Sequence, residues 1–196
     1  GTIAHGLSPE AAEAYDYMVE YGLCDNEELP TKTGTSFTTT LYWYNEPFIF
    51  IAPTGDCYDY TSLIHEFGHF LNSYAIPSDM VFGSPDFEVC EMQSIGMQLM
   101  ATHWYEELFG ADTAHMLELE TFYDIITNVI DGAMYDEFLQ RTYAEENLTA
   151  ERACEIYAEL YEEYGYTPYE GSMYDWVYVP HNFDSPFYYI LSLIHI

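Results

Sequence analysis

The chain has 196 residues, 49% of them apolar, enough for one domain with a sizeable core. Its 34 acids against 3 bases give a formal net charge of −31, which argues against nucleic acid and anionic membranes as partners and favours cationic peptides or metal ions. No run approaches the roughly 18 apolar residues of a membrane span. The four cysteines (Cys24, Cys57, Cys90 and Cys154) form no CxxC pair, which disfavours a structural zinc ribbon and suits scattered, reduced thiols.

Most of the carboxylates are expected to form a solvated acidic surface. The 21 Tyr and 12 Phe fit either an aromatic core or a cleft lined with hydroxyls.

In chain order, residues 8–22 read as a helix: Ser8 can cap it, Pro9 suits its first turn, and Glu10 favours the positive end of its dipole. Residues 35–44 (TSFTTTLYWY) and 48–52 (FIFIA) are β-branched and aromatic, and read as a hairpin or two adjacent strands. A turn at 53–56 leads to a helix over 58–75, with Leu63, Phe67, Phe70, Leu71 and Tyr74 at helical spacing. A loop, IPSDMVFGSP, precedes a long helix over 86–108 that Gly110 can cap. Further helices are predicted over 112–130, 133–145 and 149–164; residues 165–184 are turn-rich, and helix resumes near Ser185. The last six residues, LSLIHI, match the translation of a transposon end used in preparing sequencing libraries, so 191–196 is expected to be a non-native tail and His195 is left out of site reasoning.

The chemistry concentrates in His65-Glu66-Phe67-Gly68-His69. Helical residues four apart lie on one face, about 6 Å from each other, so two imidazoles can grip one zinc ion. Glu66, beside the first histidine, can take a proton from a zinc-activated water. This is the HExxH arrangement of metallopeptidases. A strand region ahead of it fits a zincin, whose edge strand can hold an extended peptide. Zinc needs a third protein ligand. Position 75, where a metzincin carries another histidine, is Ala. Glu88 and Glu91 on the next helix are then both candidates, and spacing does not choose between them.

The segments LIHEFGHFLN (63–72) and CEMQSIGMQLM (90–100) resemble the thimet oligopeptidase and oligoendopeptidase F family of zinc metallopeptidases. In that family HEFGH or HELGH is followed by a helix bearing E-x-x-S, whose Glu is the third zinc ligand. The resemblance therefore selects Glu91 over Glu88 and places Ser94 behind it. The stretch before HEFGH resembles the family's strand, loop and helix, although the loop carries Thr-Gly in place of Gly-Thr. VPHNFDSPFYYI (179–190) resembles the family's substrate-binding segment. Carried over, His181 and Tyr188 would bind the scissile carbonyl and its oxyanion, with Tyr189 the weaker candidate.

The resemblance covers roughly residues 35–190 and implies a mainly α fold with a small β-sheet, the zincin-like (gluzincin) core of a helical oligopeptidase. A single catalytic-domain fragment over 1–190, cut at both ends, is expected. The implied function is zinc-dependent hydrolysis of oligopeptides, with one ion on His65, His69 and Glu91 and with Glu66 as general base. The alternative is a fragment that holds zinc and peptide without turnover. Compartment stays open: cytoplasmic is the family default, and a lost leader would make it extracytoplasmic. Oligomeric state is open as well.

Overall fold

The computed structural model describes residues 1–32, 34–41, 43–76 and 87–188, with the backbone alone for 87–90. The chain divides into two compact units, Gly1–Tyr123 and Asp124–Ile196. Each has its own apolar core.

The first unit begins with a short helix, α1 (Thr2–Leu7), and then α2 (Pro9–Tyr21). The Ser8 hydroxyl accepts from the Ala11 N–H at 3.1 Å, a cap worth about 1 kcal/mol. Gly22, with φ 65°, closes the helix in the left-handed region that glycine enters without strain. The sheet has three strands, β1 (Cys24–Asp25), β2 (Phe37–Leu41) and β3 (Glu46–Phe50), in the order β1-β3-β2. The hairpin read from the sequence is β2–β3, antiparallel, with Asn45 at φ 53° in its turn. The two-residue strand β1 runs parallel to β3 and carries no period of its own to reveal it. Ile49 of the central strand is fully buried.

Helix α3 (Tyr58–Ala75) coincides with its predicted span. Phe67 and Phe70 turn inward against Ala14, Met18, Ile49, Ile51 and Met97. Each such phenylalanine contributes about 2–3 kcal/mol of burial. Next comes α4 (Phe87–Ala101), shorter than the predicted 86–108. The Thr102 hydroxyl donates to the Leu99 carbonyl at 2.8 Å, and residues Thr102–Trp104 tighten into a 3₁₀ turn before α5 (Tyr105–Phe109). Gly110 does end that segment, its N–H donating to the Glu106 carbonyl.

A 33-residue helix, α6 (Ala111–Tyr143), begins in the first unit and ends in the second. The sequence predicts a break near Asp131-Gly132, and none occurs. Glycine inside a helix costs about 1 kcal/mol relative to alanine. Packing of Met134, Tyr135, Phe138 and Leu139 against Ile156, Tyr157 and Leu160 of α7 (Ala150–Glu163) outweighs that cost. The terminal stretch is more helical than predicted, with a 3₁₀ segment (Ser172–Tyr178) and α8 (His181–Asp184).

The chain's three bases are all tied to acids. Lys32 pairs with Asp25, Arg141 with Glu137 and Glu163, and Arg152 with Glu145 and Glu155. Most carboxylates therefore have no cation to neutralise them. Among the described residues no helix is long and apolar enough to cross a membrane. The predicted loop at 77–85, Tyr189 and residues 191–196 lie outside the described residues, as do the side chains of Glu88 and Cys90.

Candidate metal centre

Helix α3 sets His65 and His69 one turn apart on one face, with ring centroids 5.0 Å from each other. Helix α4 crosses this face and brings Glu91 to both. Its Oε2 lies 3.3 Å from His65 Nε2 and 3.6 Å from His69 Nε2. One ligand atom from each of the three residues falls within 4.8 Å of the other two.

The donor set fits zinc. Two ligands about 2.0–2.1 Å from a tetrahedral ion stand about 3.3 Å apart, close to the two separations found here. Two imidazole nitrogens and a carboxylate oxygen are ordinary zinc donors. All three side chains are about a fifth to a quarter exposed (27%, 19% and 19%), so an ion could reach them without unfolding the site.

The close approach of α4 depends on Gly68, between the two histidines. A Cβ on Gly68 would stand 2.6 Å from Ser94 Cα and 2.8 Å from the Gln93 carbonyl oxygen. Any larger residue would push the helices apart. The Gln93 amide donates to Asn72 Oδ1 at 2.9 Å and ties the helices together one turn further along α3.

Groups behind the three residues hold their orientation. His65 Nδ1 is 2.9 Å from Gln98 Oε1. The amide oxygen can only accept, so Nδ1 carries the proton and Nε2 keeps its lone pair toward Glu91 and the candidate ion position. Fully buried Ser94 donates from Oγ to Glu91 Oε2 at 2.9 Å.

Burial works against a charged Glu91, but the hydrogen bonds and charges of His65 and His69 prevail and hold its carboxyl well below the usual range. Burial likewise lowers the His65 pKa, and Glu91 and Gln98 raise it by more, so the net direction is upward. A cation held between them would take over the charge compensation that the histidines give Glu91.

Glu66 follows His65 directly on α3. It is 7% exposed, and its Oε2 accepts from the Thr38 hydroxyl of β2 at 2.7 Å. His181 and Tyr188 both belong to the second unit. His181 opens α8, and its ring stacks on Tyr188 with centroids 4.5 Å apart and planes 16° from parallel. Sequence reasoning passed over Thr38 and Gln98. Gln98 had a signal, since 91, 94 and 98 follow the 3–4 spacing of one helix face. Thr38 had none beyond the alternation of its strand.

The chain matches Peptidase family M3 over residues 11–193. No curated protein matches it. Among solved structures, one assigned as oligoendopeptidase F is 27% identical, with a TM-score of 0.88 over 99% of this chain and 36% of its own. Pz peptidase A, solved with an inhibitor, is 26% identical, with a TM-score of 0.89 and the same shares of both chains, 99% and 36%. An assigned oligoendopeptidase F from Bacillus anthracis str. Ames shares the fold at 24% identity and a TM-score of 0.79, over 99% of this chain and 33% of that one. The chain thus spans about a third of the length of these structures. Its mainly helical fold with a small three-stranded sheet is the zincin core of the zinc-dependent M3 peptidases, and the chain belongs to Peptidase family M3.

Proposed function

We propose that this chain carries the catalytic zinc centre of an oligopeptidase that hydrolyses internal peptide bonds. The observation that supports this most directly is the convergence of His65, His69 and Glu91 from two helices, beside a buried Glu66. His65, His69 and Glu91 would hold one zinc ion. Bound there, zinc would acidify a water and polarise the scissile carbonyl. Glu66 accepts the proton of the attacking water and delivers it to the leaving amine. His181 and Tyr188 donate hydrogen bonds to the oxyanion; sequence resemblance supports this role, and their stacking keeps the two rings together. The substrates are oligopeptides, and the uncompensated acidic surface favours basic ones.

A second reading is a domain that binds zinc and peptide without turnover. Metal analysis of the purified chain and cleavage of a mixed peptide library decide between the readings. One zinc per chain with cleavage supports the peptidase, and zinc without cleavage supports the binding domain. Absence of stoichiometric zinc, or binding unchanged in His65→Ala, overturns both.

A further inference from the structure

We infer that Thr38 is the positioning residue for Glu66, fixing one carboxylate oxygen so that the other is presented for proton transfer. The inference rests on the peptidase reading and adds a component from outside the zinc helices. Thr38 Oγ1 lies 2.7 Å from Glu66 Oε2 and 2.9 Å from the Glu66 backbone carbonyl oxygen. A hydroxyl has one proton to give, and the nearer, charged acceptor forms the stronger bond. None of the hydrogen bonds among the described residues uses Glu66 Oε1. The two oxygens are thus divided between anchoring and chemistry. A buried glutamate with three rotatable bonds would otherwise have to be ordered at each turnover.

The fold specifies this contact strongly. Along β2, Phe37, Thr39 and Leu41 are exposed, while Thr38 and Thr40 face inward. Thr38 pairs with fully buried Ile49 of β3, and Phe37 stacks on Phe50 with ring centroids 5.0 Å apart. A slip of one residue would turn the hydroxyl to the far face of the sheet. The hairpin and the general base are thereby coupled, although 28 residues separate them in sequence.

Two substitutions separate the hydroxyl from the shape of the side chain. Thr38→Val keeps the shape and removes the donor; Thr38→Ser keeps the donor and removes the methyl. Each is made in the zinc-loaded chain, alone and with Glu66→Ala, and read by peptide turnover, zinc stoichiometry and unfolding midpoint. The bond to the Glu66 backbone carbonyl survives in Glu66→Ala, so the comparison isolates the carboxylate. Expected are a kcat about ten- to a hundred-fold lower in Thr38→Val, with KM and zinc content within about twofold, and recovery in Thr38→Ser. Thr38→Val should lower the midpoint by more in the otherwise unaltered chain than in the Glu66→Ala background. Equal midpoint losses in both backgrounds, a serine variant as impaired as valine, or full turnover in Thr38→Val overturn the assignment. If the unaltered chain binds zinc and cleaves nothing, the peptidase reading fails on its own, and the midpoints and the serine–valine contrast decide the role of Thr38.

Discussion

Gly68 and Ser94 meet backbone to backbone: a single methyl added to Gly68 would reach within 2.6 Å of Ser94 Cα. This contact sets how near α4 lies to α3, and so how near Glu91 lies to the two histidines. Gly68→Ala is predicted to force the helices apart, destabilising the first unit by about 1–3 kcal/mol and weakening zinc binding. Competitive zinc titration and denaturant unfolding of the variant check this. Unchanged affinity would show that Glu91 does not depend on the helix spacing.

The acceptor behind His65 gives a second prediction. Gln98 Oε1 selects the tautomer that leaves Nε2 free. Gln98→Leu should weaken zinc binding by about ten- to a hundred-fold, whereas Gln98→Glu, which keeps an acceptor, should hold it near the original value. Isothermal titration at one fixed pH measures both. Equal affinity in the leucine variant would leave the histidine's orientation to helix packing alone.

Metal binding and proton transfer should separate at Glu66. It is the neighbour of His65, yet its carboxylate is held by Thr38. Glu66→Gln is predicted to retain one zinc per chain while turnover falls by about a hundred-fold or more. Zinc content alongside a peptide cleavage assay is the measurement. Turnover that survives would remove Glu66 from the proposed mechanism.

What could be read from the chain alone follows from the range of each interaction. The 65–69 pair and its helix were legible because spacing of four is a local property, and α3 begins and ends where its apolar period does. Glu91 was reachable only through resemblance, since two carboxylates one turn apart are equivalent until a second helix is placed against the first. Thr38 and Gln98 act across 28 and 33 residues through side-chain geometry that no period encodes. The misplaced break at Gly132 has the opposite origin. A local propensity of about 1 kcal/mol was weighed without the packing of α6 on α7 that overrides it.

The start of α3 supplies a pH-dependent prediction. Asp59 in its first turn accepts from the Thr54 N–H at 2.7 Å, the Gly55 N–H at 2.9 Å and the Thr54 hydroxyl at 3.0 Å, and so ties the preceding turn to the zinc-bearing helix. Burial alone would raise its pKa, but these donors favour the charged form and hold the folded value below the ordinary 3.8. With the folded value depressed, the unfolded chain takes up the proton first as pH falls. The stabilisation is therefore complete above the unfolded value and is lost as pH drops through the folded one. Asp59→Asn should lower the unfolding midpoint at neutral pH, and its deficit should shrink as pH falls below about 4. Thermal unfolding of both proteins across that range measures the difference; a constant deficit would mean that the contact acts by shape and not by charge.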